Sequence, residues 1–195
     1  MTRLDDIGDA GVRLIARGGI RALTHRAVDT EAELPPGSTT YYAKTRRDLT
    51  ALVVDRLADY TQQDLDGLVV PPSLTPAQAA AVAVGFLEHL SLREDAQAAR
   101  FALLFELRHD DEMRGALTEQ APVRQLLLQA AEGVLRALHV LDPSTHARDL
   151  VAVVDALLMY GAARAATFDA TRILTLYLSG LPRQAQDFEG SRVLL

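Results

Sequence analysis

Apolar side chains recur at three- and four-residue steps along most of the chain, the spacing that gathers them on one face of an α-helix. Leu4, Ile7, Gly11, Leu14 and Ile15 trace the first such face, and Gly18 and Gly19 end it. Thr24 is placed to cap a short helix, His25 to Glu33, with Ala27, Val28 and Ala32 turned inward. Leu34, Pro35, Pro36 and Gly37 break that helix, and Pro36 suits the first position of the next, where the N–H it lacks would have no intrahelical partner. Ser38 to Lys44 reads as a very short helix. Thr45 and Asp48 make a capping box for a long helix, 46–66, with Leu49, Leu52, Val53, Leu57 and Tyr60 as its buried stripe.

Residues 67–76, GLVVPPSLTP, concentrate Pro, Gly and Ser and divide the chain into an N-terminal unit, 1–66, and a C-terminal unit, 67–195. Thr75 caps the next helix, with Pro76 at its first position. Helices are expected near 76–92, 95–109, 112–139 with a candidate break around Pro122, 144–166 and 169–180. No stretch alternates with period two, and Ala and Leu dominate outside the turns, so the expected fold class is all-α. Gln184 to Leu195 reads as a loosely held tail.

Of the 195 residues, 49% are apolar and 24% charged, which is globular composition rather than that of a disordered polyelectrolyte. The lack of Cys excludes a disulfide scaffold, a thiolate zinc site, an iron–sulfur cluster and a cysteine nucleophile. The N-terminus carries three Asp without a secretion-type apolar stretch, and no apolar run reaches the roughly 18 residues of a membrane span, so a soluble, cytoplasmic protein without a membrane partner is expected. The net charge of −6 argues at first against nucleic acid. Its distribution reverses that reading. Residues 13–47 hold Arg13, Arg17, Arg21, Arg26, Lys44, Arg46 and Arg47 against Asp29, Glu31 and Glu33, a local balance of +4 that leaves −10 elsewhere.

The same stretch carries the parts of a helix-turn-helix: two short helices and a tight turn, the second helix opening with small and hydroxylated residues. Gly37 allows close backbone approach, and Ser38 and Thr40 can hydrogen-bond base edges or phosphates. Tyr41 and Tyr42 offer phenolic hydroxyls to phosphates, and Arg26, Lys44 and Arg46 supply positive charge. Arg46 also sits beside free amides at a helix start, so cation and helix terminus favour one anion. Thr24 and Pro36, at the two helix starts, complete the expected DNA-facing set.

Ala22-Leu23-Thr24-His25-Arg26-Ala27-Val28 and Ala32-Glu33-Leu34-Pro35-Pro36-Gly37-Ser38-Thr39-Thr40-Tyr41-Tyr42-Ala43-Lys44-Thr45-Arg46-Arg47-Asp48-Leu49 resemble the tetracycline-repressor (TetR) family pattern A-L-T-x-R-x-(V/I)-A-x-x-A-G-V-S-x-G-T-L-Y-Y-H-F-x-S-K-x-x-L. Glu33 replaces the usual turn glycine, Pro35 a hydroxylated N-cap, Thr40 a common aromatic and Ala43 a packing aromatic. The first three could alter base preference or turn geometry, and Ala43 implies a slightly underfilled core beneath the short helix. The resemblance implies an N-terminal three-helix module that contacts DNA, and C-terminal helices that form a ligand cavity and a homodimer. Two apolar helices per subunit would then meet in a four-helix interface, carrying Val151, Leu158, Ala162, Ile173, Leu176 and Tyr177.

For the cavity, Phe86, His89, Phe101, Phe105 and Met159 are the expected lining, since aromatic and thioether groups suit an adaptable apolar pocket. Aromatic content of 5% without Trp favours an aliphatic cavity over an aromatic cage. Glu106 and His109 form a single Glu-x-x-His step, half of a di-iron carboxylate motif, without a second copy. Asp110, Asp111 and Glu112 beside them read as a solvated helix junction. No phosphate-cradling loop, nucleophile elbow or His-Glu-x-x-His occurs, so no catalysis, cofactor or metal is expected. The resulting expectation is a one-component, ligand-responsive repressor that binds a palindromic double-stranded DNA operator as a dimer and is released by a small-molecule effector. The rivals are a helical ligand-binding or interaction protein with a vestigial DNA-binding module, and a small helical enzyme built around Glu106 and His109.

Overall fold

A computed structural model describes residues 2–184, which hold ten α-helices and one short 3₁₀ turn. The helices are α1 (Arg3–Gly18), α2 (His25–Glu31), α3 (Ser38–Tyr42), α4 (Arg46–Asp66), α5 (Pro76–Ser91), α6 (Glu94–Glu106), α7 (Asp111–Leu117), α8 (Pro122–Ala137), α9 (Pro143–Ala162) and α10 (Ala170–Ser179). Three of them start with a complete capping box, Thr2–Asp5, Thr45–Asp48 and Thr75–Gln78, in which hydroxyl and N3 side chain satisfy one another's backbone amides. Pro76, Pro122 and Pro143 each lie in the first turn of a helix, where a missing N–H costs nothing.

The expected helix over 112–139 is two helices. Thr118 leaves helical geometry at φ −128° and ψ −108°, and Ala121, next to Pro122, is extended, the conformation that proline imposes on its predecessor. Pro36 is not a first helical residue either. It lies in the turn, and Gly37 at φ 88° is the N-cap of α3, with Ser38 following. Of the expected tail, Gln184 donates its amide to the His139 carbonyl at 2.9 Å, and the rest lies outside the described residues.

Two clusters of buried side chains hold the helices together. The first joins Ile7, Ile15, Leu23, Val28, Leu49 and Val53 of the N-terminal helices to Ala99 and Leu103 of α6 and Met113 of α7. Residues beyond position 66 therefore complete the core beneath the N-terminal module. Gly8 and Gly11 let α1 lie close on α4, since a methyl at either position would collide with Arg56 or Val53. The second cluster packs α5 against α10 and α8 against α9 around Leu87, Leu135, Leu150, Leu174 and Leu178. Each fully buried leucine there contributes about 1.5–3 kcal/mol by leaving water. α4 touches α1 through Val53, Arg56 and Tyr60 and also contacts α5 and α8.

Candidate functional site

Thr24 caps α2 by accepting from the Ala27 amide at 3.2 Å, and α2 presents Asp29 toward the turn. The Asp29 carboxylate is buried and takes three hydrogen bonds: from the Gly37 amide at 2.7 Å, the Thr39 amide at 2.7 Å and the Thr39 hydroxyl at 2.6 Å. Burial pushes this carboxyl up, but the Thr39 and Gly37 donors outweigh it and hold it below the usual carboxylate range. The His25 ring joins the Ala43 carbonyl at 2.8 Å, tying the other end of α3 to α2. A helix of five residues has no stability of its own, so these contacts set its direction. Glu33, standing where the resembled pattern has glycine, adopts φ 54°, so the turn keeps a left-handed residue without the glycine. Ala43 is fully buried.

The outer side of α3 faces solvent. Thr40, Tyr41 and Tyr42 are exposed, Tyr41 to 81%, and the two rings meet edge-to-face with centroids 5.1 Å apart. Ser38 is half-buried and its hydroxyl donates to the Pro35 carbonyl at 2.7 Å, so it is engaged within the turn. Pro36 and Gly37 are exposed on the same rim. The basic window resolves into two groups. Arg13 and Arg17 pair with Glu31 and hold its carboxyl low, and Arg47 pairs with Asp110 and Glu112. Arg21, Arg26, Lys44 and Arg46 make no ion pair among the described residues and are exposed. Arg46 donates to the Ile20 carbonyl at 2.7 Å, which ties the start of α4 to the 3₁₀ turn after α1. The surface around α3 thus carries unpaired positive charge although the chain is acidic overall.

Behind this module lies a cavity of about 210 Å³, walled by Leu57 and Thr61 of α4, Gln97 and Arg100 of α6, Leu117 of α7, Arg124 of α8 and Asp155 of α9. An apolar lobe of about 60 Å³ adjoins it and shares Leu90, Leu127 and Asp155. Of the five expected lining residues, Phe86 borders this lobe. The other four lie elsewhere. Phe101 belongs to the core, Met159 packs against that core, and Phe105 is 62% exposed. His89 is turned outward onto Asp64 at 3.1 Å, a carboxylate that Arg93 also holds. The polar residues in the cavity escaped sequence reading; Gln97, Arg100 and Leu104 share one helical face, and that spacing was the available signal.

Val151 borders the apolar lobe and Leu158 is buried in the second cluster, so neither reaches the surface of the protomer. Ala162 and Leu176 are exposed, and Ile173 and Tyr177 are half-buried. The single helical face expected for Glu106 and His109 does not form, because α6 ends at Glu106 and His109 lies in the turn beyond it. Asp110 is not merely solvated: it caps α7 and anchors Arg47. Among the described residues no cluster of three or more His, Asp or Glu is placed to hold a metal, and no helix is long and apolar enough to cross a membrane.

Residues 74–182 match the family described as "Tetracyclin repressor-like, C-terminal domain". A solved TetR-family structure from Streptomyces coelicolor A3 shares 23% identity, with 93% of this chain and 99% of that chain covered at a TM-score of 0.68. A transcriptional regulator from Rhodococcus sp. Rha1 superposes at a TM-score of 0.72 with 16% identity, covering 92% and 96% of the two chains. The multidrug binding protein EbrR, complexed with ethidium, shares 26% identity over 89% of this chain and 94% of its own, at a TM-score of 0.63. No curated protein matches the chain in sequence.

Proposed function

The chain belongs to the TetR family of ligand-responsive transcriptional regulators, DNA-binding proteins rather than enzymes, and from that premise we propose that it is a repressor that grips a palindromic operator as a homodimer. The observation that carries this reading is α3: a five-residue helix aimed by a buried carboxylate, with Thr40, Tyr41 and Tyr42 outward and Arg26, Lys44 and Arg46 around it. In a major groove Thr40 meets base edges, while the tyrosine hydroxyls and cations meet phosphates. Residues 1–66 read DNA in this scheme; residues 67–195, joined by the later turns of α4, hold the effector, and the dimer contact runs through Ala162, Ile173, Leu176 and Tyr177.

Release follows from a population shift. α4 lines the cavity with Leu57, Ala58 and Thr61 and carries Arg46 and Arg47 at its start. Arg47 in turn holds Asp110 and Glu112 at the entry of α7, which lines the same cavity through Ala116 and Leu117. An effector that moves α7 or α4 therefore acts on the DNA-reading end through two elements. A roughly 100-fold preference of the effector for the released form corresponds to about 3 kcal/mol, within ordinary coupling energies. Similarity to EbrR, solved with ethidium, supports small-molecule binding by the C-terminal helices. The test is a gel shift with DNA flanking the protein's own gene against scrambled DNA of equal length. Specific retardation is expected; equal affinity for both, or none, would leave the helical module without a reading role.

A further inference from the structure

The chemistry of the cavity wall specifies what it takes. The Gln97 Oε1 and Arg124 Nε atoms are buried without a hydrogen-bond partner among the described residues, and Gln97 as a whole is 7% exposed. Native interiors leave few polar atoms in that state, and those they leave point to a missing partner. The Gln97 Nε2 donates to the Leu90 carbonyl at 3.4 Å, which fixes the free atom as the oxygen, an acceptor in need of a donor. Arg124 Nε is a donor in need of an acceptor.

The ion pairs show which atoms remain free. Arg100 and Asp155 face each other at 2.8 Å and cancel. The acid beside Arg124 is Glu119, which also lines the cavity and accepts from the Arg124 Nη2 at 3.5 Å, so the four charged groups of the wall balance. The Nε edge of Arg124 is therefore the part of that guanidinium left for a ligand. The adjoining lobe is lined by Leu65, Val82, Phe86, Val134, Leu150 and Val154, side chains that offer contact to hydrocarbon alone.

Taking the cavity as the effector site, as proposed above, we infer that the effector is a small amphipathic monoanion: a carboxylate on Arg124, a neighbouring hydroxyl or N–H donating to Gln97 Oε1, and an aliphatic body in the apolar lobe. A charged acceptor makes the stronger hydrogen bond to a guanidinium Nε, which favours a carboxylate over a neutral carbonyl, and a dianion such as phosphate would add more charge to a wall that already balances. An aliphatic ammonium has no acceptor to offer Arg124 Nε and would bring a second cation beside it.

The test is calorimetry on the full-length protein without DNA, so that its result does not depend on operator binding. The probes are β-hydroxyoctanoate, octanoate, octanol, octylamine and ethidium. β-Hydroxyoctanoate should bind tightest and octanoate next, with octanol, octylamine and ethidium weaker by about tenfold or more. Gln97→Leu should bring β-hydroxyoctanoate down to the octanoate level and leave octanoate unchanged. Arg124→Gln should weaken both carboxylates by about tenfold and leave octanol unchanged. The inference is overturned if neither carboxylate binds below about 1 mM, if octylamine or ethidium binds as tightly, or if a folded Arg124→Gln protein keeps full affinity. The ligand series on the unsubstituted chain decides the matter if that variant does not fold. Carboxylate binding that fails to release DNA would leave this assignment standing and refute the effector reading instead.

Discussion

Asp29→Ala removes the one group that joins α2 to α3 at three points, so its cost follows from what it leaves behind. A hydrogen bond to a charged group contributes about 1.5–3 kcal/mol, and an orphaned buried donor costs about 1–3 kcal/mol. Thr39 is fully buried, so its amide and hydroxyl cannot turn to water. Because contributions within one network do not add, about 3–5 kcal/mol is expected rather than their sum. For a chain of this length that lowers the melting temperature by roughly 6–20 °C. Asp29→Asn keeps one acceptor oxygen for Thr39 and turns an NH2 toward the Gly37 amide, so it should fall between the two. The pH dependence has a definite sign. A carboxyl held below its unfolded value stabilises the fold above the ordinary carboxylate range, near pH 3.9, and that contribution disappears as pH falls through the folded value. The parent should therefore lose stability on acidification below about pH 4, and Asp29→Asn should lose less over the same interval. Calorimetric or urea unfolding measures both. An Asp29→Ala protein within about 1 kcal/mol of the parent, with an unchanged acid limb, would refute the assignment of Asp29 as the brace of α3.

Lys44→Ala should weaken binding to every DNA sequence and lower the salt slope by about 1, whereas Thr40→Ala should change base preference by about 1–3 kcal/mol at one position; anisotropy titrations over a salt series and an operator library separate the two. Leu176→Glu, on an exposed position of α10, should give folded monomers in analytical ultracentrifugation, while Leu158→Glu should cost several kcal/mol by burying a charge and fail to fold. A folded, monomeric Leu158→Glu protein would contradict its place in the core. Arg47→Ala should shrink the effector-induced loss of DNA affinity by about threefold or more, measured as the ratio of affinities with and without effector; an unchanged ratio would remove the α4–α7 link from the coupling path.

The fold was legible in the sequence wherever a local rule acts alone. The capping box at Thr45, the Thr75 cap with Pro76 behind it and the three-four apolar steps mark helix starts and faces without reference to the rest of the chain, whereas Pro36 obeys no such local rule and lies in the turn. What escaped depends on long-range partners. Asp29 looks like one more charge on a short helix until α3 brings Thr39 and Gly37 to it. Arg47 counts as part of a basic patch until Asp110, 63 residues further on, withdraws it. His89 and Phe105 have the right side chains for a pocket, but helix rotation turns both outward, and the cavity instead sets Gln97, Arg100, Arg124 and Asp155 among aliphatic walls. Val151 and Leu158 have the hydrophobicity of an interface; a helix apolar nearly all round does not say which side meets its own core.

The most direct test of α3 as the reading element is methylation interference on the operator, which reports guanine N7 in the major groove. Two patches of interference related by a two-fold axis, on one face of the duplex and spaced by about one helical turn (10–10.5 base pairs) or a multiple of it, are expected, with the patches lost for Thr40→Ala at the base it contacts. Uniform interference along the fragment, or a pattern that Thr40 and Tyr41 substitutions leave unchanged, would contradict the account.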